Sequence, residues 1–304
     1  MTREVIHIPS QLKGLTLARV VAQLDETTAG GMPDEFVFDF SGLRFIRPAG
    51  IVFLSNVMQW LSDAKGARVQ LVGLDTSRDA IRFLDNSLFF EQHCGSKLNP
   101  ESTPRPTTWP LTRVDMQQSH ALLQMRMVPW AADTLGCEAG NLASYKTCIS
   151  ELFNNIVDHT RLDIGGIAAQ YFPNGDFPFG DCIEVGVADF GLGIPATVRK
   201  VEPDVTDAEA IKLAFKEGFS SKSTPRNRGA GLPLLIDYLV GAAGGHVTVF
   251  SGNAIVEFRR GPDGRIASRV SSQDSFTPGT LIEITVPANF ASQVGDDDEG
   301  ELEW

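Results

Sequence analysis

The stretch ELFNNIVDH, residues 151–159, decides how the second half of this chain folds. At roughly 100° per residue, Glu151, Asn155 and Asp158 fall within an arc of about 60° on one helix face. Tyr145, Ile149, Leu152, Phe153, Ile156 and Val157 take the opposite side, which belongs to a core. The polar side carries no Lys or Arg within the stretch, so it lacks the alternating charges of a solvated face. An acid, an amide and an acid either point into a cleft or stand on an unusual surface. The helix alone leaves both readings open.

The surrounding chain has 304 residues, 42% hydrophobic and 21% charged, the balance of a globular protein with room for two domains. No run approaches the roughly 18 apolar residues of a membrane span, and MTREVIHIPS has no signal-peptide core. A cytoplasmic location without membrane association is expected. The four cysteines, Cys94, Cys137, Cys148 and Cys182, show no CxxC or metal-ligand spacing and read as reduced, mostly buried thiols. A net charge of −12 argues against nucleic acid as the main partner. Half of that excess lies in the six acids of the tail GDDDEGELEW, which reads as disordered.

The segment LNPESTPRPTTWP, 98–110, holds four prolines among polar residues and reads as a linker. It divides the chain into a first domain at 1–97, a Pro-rich linker at 98–112, a second domain at 113–290 and an acidic tail at 291–304. Strand patterns at 4–8, 36–40 and 68–73 alternate with helical ones at 14–26, 49–64 and 77–84, which predicts a small α/β domain. In the second domain helices are expected at 115–127, 140–159, 207–216 and 232–243, and strands at 166–172, 182–188, 247–251, 255–260 and 280–286. That order predicts an α+β two-layer sandwich, helices over a mixed or antiparallel sheet.

Two further segments carry chemistry. In ADFGLGIP, 188–195, Gly191 and Gly193 permit close approach of backbone to a ligand, and Asp189 can accept hydrogen bonds from an amine. The spacing of Gly191, Gly193 and Ala196 fits a dinucleotide fingerprint poorly, because the strand follows another in a hairpin and Pro195 intervenes. Asp189-Phe190-Gly191 spells the protein-kinase DFG triplet, but no HRD-type loop precedes it. GFSSKSTPRNRGAGLPLL, 218–235, is a polar loop with Lys222, Arg226 and Arg228 that ends in Gly229-Ala230-Gly231 at the start of an apolar helix. A glycine-rich turn entering a helix offers free N–H groups and the helix dipole to an anion. Taken singly, either segment also reads as an ordinary surface loop.

Together, Glu151…Asn155, Asp189-x-Gly191-x-Gly193 and Gly229-x-Gly231-Leu232 resemble the N, G1 and G2 boxes of the GHKL superfamily, the Bergerat-fold ATPases, across about 140–287. Gly279-Thr280 is similar to the family's last nucleotide-contacting box. The resemblance implies ATP and Mg²⁺ as cofactors. It implies Asn155 as the metal ligand, Glu151 as the general base, and Asp189 and Gly193 around the adenine. Gly229, Gly231 and Leu232 would contact phosphates, under a mobile lid at 215–228 in which Lys222, Arg226 and Arg228 compete for the role of neutralising charge. Asp158 joins the binding set and leans toward the gyrase and Hsp90 side of the superfamily, whereas the short lid leans toward the kinase and anti-sigma branch. His159 reads as a helix-end histidine.

FDFSGLRFIRPAGIVFL, 38–54, resembles the signature of STAS domains, the fold of anti-sigma-factor antagonists, over about 4–92. Where those carry Asp-Ser-Ser-Gly, with the second serine phosphorylated, this chain has Arg47-Pro48-Ala49-Gly50. Ala49 has no hydroxyl to accept a phosphoryl group, and Ser41 reads as a turn residue. The end of this helix is expected to be exposed and free to dock a protein. The two resemblances together imply a regulatory ATPase or Ser/Thr kinase with a regulatory protein partner, and a homodimer. Two alternatives stand beside it: a nucleotide-gated switch without turnover, and an ATP-driven dimer clamp.

Overall fold

The computed structural model describes residues 2–114, 119–159, 165–175, 180–219 and 231–290; of 119, 156–159 and 272–275 it describes the backbone only. The architecture is mixed α/β; the described residues form a three-stranded and a two-stranded parallel sheet and a five-stranded antiparallel one. The first unit contains β1 (Arg3–His7), β2 (Gln11–Leu12), α1 (Ala18–Thr28), β3 (Glu35–Asp39), β4 (Phe45–Ile46), α2 (Pro48–Gln59), β5 (Arg68–Val72), α3 (Asp79–Asn86) and α4 (Phe89–Cys94). Strands pair in parallel in the order β1-β3-β5, and β2 pairs with β4. Phe36, Phe38 and Phe40 are fully buried, and Phe40 meets Phe89 and Phe90 edge-on at 6.2 Å. The helix carrying those last two was not anticipated, because Leu88, with φ +63, bends the chain where the sequence has no Gly or Pro. Ser41 sits in a turn whose carbonyls, Phe40 O and Ser41 O, accept from the Arg78 guanidinium at 2.6 and 3.0 Å.

The second unit contains β6 (Thr108–Arg113), α5 (Ser119–Leu122, running on to Met127), α6 (Val128–Leu135), α7 (Ala143–His159), β7 (Gly165–Phe172), β8 (Cys182–Asp189), α8 (Gly193–Val198), α9 (Asp207–Ala214), α10 (Gly231–Ile236, running on to Ala242), β9 (His246–Arg260) and β10 (Ile266–Pro287). The sheet order is β6-β7-β8-β10-β9, antiparallel throughout. The stretch expected to be a linker through 112 therefore ends in an edge strand. Its start is no free connector either: the Asp85 carboxylate accepts from Leu98 N, Asn99 N and Ser102 Oγ at 2.9, 2.9 and 2.6 Å. The two strands expected at 247–251 and 255–260 are one: Gly252, with φ +62, stays in the ladder opposite Thr277, and β10 takes up the irregularity with extra residues on both sides of that pair.

The second unit places its helices over one face of an antiparallel sheet, and the other face is covered as well: every residue of β8 is buried. Ile183, Val185 and Val187 enter a core with Ile149, Leu152 and Phe153 of α7. Ala188 joins the core of the first unit, with Gly186 on the same face. The element covering that face is α2, whose 12 residues are all buried and which packs against β7 and β8. Apart from Ser55, Asn56 and Gln59 this helix is apolar, so it needs cover on nearly every side, and it obtains that cover between the parallel and antiparallel sheets. The first turn of α2, expected to dock other proteins, is consequently covered by the chain itself: Pro48, Ala49 and Gly50 are buried. A Cβ added at Gly186 would lie 2.5 Å from Ala49 N and Cα and 2.7 Å from Pro48 C. Gly186→Ala is therefore expected to lower stability in urea unfolding by about 1–3 kcal/mol. Adding Ala49→Gly should not relieve it, because the obstruction is backbone.

At the rim of this contact Arg47 forms an ion pair with Glu184, their side chains 9% and 2% exposed. The Arg47 guanidinium lies 5.2 Å from the Phe172 ring centroid and 5.4 Å from that of Phe45. Glu283, on the same face of β10, also feels Arg47 and accepts the Gly14 N–H. Burial and the nearby Glu283 charge push Glu184 up to about 8, against the pull of Arg47; burial raises Glu283 as well. No helix among the described residues is long and apolar enough to cross a membrane.

Candidate functional site

The helix that opened the question, α7, buries Tyr145, Cys148, Ile149, Leu152 and Phe153 and leaves Glu151 and Asn155 partly exposed. The 3.6-residue period thus locates its core face correctly as far as Phe153; the side chains of Ile156, Val157, Asp158 and His159 lie outside the described residues. The partner of Glu151 comes from far along the chain. Gly231 opens α10, which packs on α7, and a Cβ at Gly231 would lie 2.9 Å from Glu151 Cδ and closer still to its Oε2. A Cβ there would displace the Glu151 carboxylate from its present position. Leu232 packs against the helix-side core beside it. Burial and the neighbouring Glu151 charge push the Cys148 thiol, one turn earlier, up to about 12, so it is inert toward neutral-pH oxidants and alkylating agents. Lys222, Arg226, Arg228 and Gly229 lie outside the described residues.

A second corner forms at the end of β8. Asp189 is 9% exposed and burial pushes its carboxyl up to about 7, although Oδ1 accepts the Gly191 N–H at 2.7 Å and the Thr280 N–H also contributes. Thr280 stands opposite Asp189 in the β8–β10 ladder. Gly193, at φ +78, begins α8; a Cβ there would meet Ser251 Oγ at 2.8 Å and Gly279 O at 2.9 Å. Ser251, fully buried, ties this corner together: its Oγ donates to Gly279 O at 2.6 Å, accepts from Ile194 N at 3.0 Å and lies 3.4 Å from Thr280 Oγ1. Sequence reading missed Ser251. The available signal was a hydroxyl in the alternation Val247, Val249, Ser251, where the first two face the core.

Alternation along β8 puts Asp189 on the face of Ile183, Val185 and Val187, the face on which α7 lies. Glu151 and Asp189 thus belong to the same helix-and-sheet layer, one beside a glycine at a helix start, the other at a strand end lined by glycine backbone. Such a surface suits a ligand with an amine donor at one end and anionic oxygens at the other. Among the described residues no group of three His, Cys, Asp or Glu side chains stands ready to hold a metal ion, so a cation here would rest on few protein ligands. No family model matches this chain, and no curated protein matches it.

Proposed function

We propose that this chain is a Mg²⁺-dependent ATP-binding regulatory protein, with a GHKL-like second unit and a STAS-like first unit that lacks a phosphoacceptor hydroxyl. The observation supporting it is the meeting of residues remote in sequence: Glu151 against Gly231, and Asp189 with Gly193, Ser251, Gly279 and Thr280. In this reading Asp189 accepts from the adenine amino group and Gly193 lies beside the ring, the side its Cβ would occupy being filled by Ser251 Oγ and Gly279 O. Gly231 and Leu232 line the phosphate end, and Lys222, Arg228 and Gly229, which precede them in sequence, are assigned to the phosphates with them. The residues fit a hard cation held through one amide, Asn155, because Mg²⁺ retains most of its waters. When bound, the ion neutralises phosphate charge. Glu151 takes the proton of the attacking water or partner hydroxyl as its oxygen bonds the γ-phosphorus and the bond to ADP breaks. A cytoplasmic regulatory partner and a homodimer belong to the same proposal.

Incubation with γ-labelled ATP, alone and with co-purifying proteins, tests it. Free phosphate identifies an ATPase and a labelled partner identifies a kinase; absence of ATP binding refutes the proposal. Asp189→Asn is expected to weaken ATP binding roughly 10- to 100-fold in calorimetry, the range for a hydrogen bond to a charged group. Because the ionised carboxylate is the stronger acceptor for the amine, and burial pushes Asp189 up to about 7, wild-type affinity is expected to fall as pH drops below about 7. In Asp189→Asn that acid limb disappears. A second reading, a nucleotide-gated switch without turnover, is favoured by one observation: Ala49 is buried against β8, so the first unit offers no acceptor there.

A further inference from the structure

Asp189 and Phe190 are neighbours that face opposite ways. Alternation sends the carboxylate to the helix side, while the Phe190 ring, 6% exposed, enters the core of the first unit. There it packs on Trp60, ring centroids 5.8 Å apart and planes inclined by 38°. Trp60 opens the widened last turn that continues α2, the helix seated on β8, and Lys65 Nζ lies 5.1 Å from its ring centroid on that turn. The Gly191 N–H bond to Asp189 Oδ1 closes a tight turn around Phe190, so ring and carboxylate share one constraint. From the other side Gly279 abuts the same turn: a Cβ there would lie 2.8 Å from Phe190 Cα.

We propose that Trp60 is a positioning residue: the first unit holds the Asp189 carboxylate in place by clamping Phe190, and so controls ligand binding on the far face of the sheet. The ligand in this statement rests on the ATP reading above; the clamp itself does not. A bulky aromatic contact across β8 carries the coupling because Asp189 cannot turn without moving Phe190, whose ring is packed on Trp60. By reciprocity, a ligand held by Asp189 tightens the seating of α2 on the sheet.

Two measurements test this. The first is amide exchange at Gly191, whose N–H reports the turn without any ligand. Trp60→Ala is expected to speed it roughly tenfold while the β8–β10 ladder amides stay protected, and Trp60→Phe to restore protection. The second is a double-mutant cycle on ATP affinity. Trp60→Ala weakens binding roughly tenfold, within the usual range of linkage between sites, but adds little in an Asp189→Asn background. Unchanged exchange at Gly191, a uniform rise across the ladder, or additive losses would overturn the positioning role. Faster Gly191 exchange in a protein that binds no ATP would leave the clamp standing and remove the nucleotide reading instead. Should Trp60→Ala fail to fold, Phe190→Leu makes the same test, since it keeps apolar volume and removes the ring contact.

Discussion

Above about pH 8, where Glu184 is ionised, Arg47→Met is expected to destabilise the protein by about 3–5 kcal/mol, the cost of leaving one partner of a buried ion pair without the other. Methionine matches the apolar stem of arginine but removes the guanidinium from the Phe45 and Phe172 rings, so the loss comprises the ion pair and these cation–π contacts. Two buried carboxylates, Glu184 and Glu283, would remain on one sheet face without their shared cation. The pH dependence makes the assignment specific. Burial raises Glu184 from 4.5 to about 8 and Glu283 in the same direction, so the folded state binds their protons more tightly than the unfolded chain does. The stability this contributes is fully present below about pH 4.5 and is lost as pH rises through about 8. Wild-type Tm should therefore fall between pH 5 and 8.5, Glu184→Gln should flatten that fall, and the Arg47→Met deficit should shrink at acid pH. A deficit independent of pH would mean that Arg47 acts by packing alone. Replacing all three side chains with neutral ones of similar volume should recover most of the stability.

Under the proposed ATPase function, with Glu151 as general base, Glu151→Gln is expected to lower turnover of ATP by about 10²- to 10⁴-fold while changing ATP affinity little. The substitution keeps the size of the side chain lying against Gly231, so the site geometry persists and only proton acceptance is removed. Single-turnover measurement with γ-labelled ATP separates the chemical step from release. Loss of affinity with unchanged single-turnover rate would assign Glu151 to binding. Hydrolysis at the wild-type rate would remove it from the chemistry altogether.

The two predictions draw on different levels of information. Glu151 and Asn155 were legible because a helix repeats every 3.6 residues, so the sequence of α7 alone separates a core face from a polar one. Asp189, Gly193 and Gly231 were legible as residue types with distinctive conformational freedom and chemistry at element ends. Ser251 was not, since a serine among valines announces neither its bond to Gly279 O nor the one from Ile194 N. Arg47 and Glu184 are 137 residues apart, and neither local period nor propensity links them. A reading by segments also makes the proline-rich stretch a linker, because the pairing of β6 with β7 is a property of the partner strand and not of the prolines.

By itself, then, the sequence determined most of the longer elements and the polar groups at their ends, because those follow from interactions within a few residues; it did not show α4, β6 or the continuity of β9. Only the tertiary structure decided that the antiparallel sheet is buried on both faces, that Gly186 is the seat of α2, and that Phe190 reaches Trp60 while Asp189 turns the other way. These depend on which surfaces exclude water together, a property of chain segments distant in sequence that no local pattern encodes.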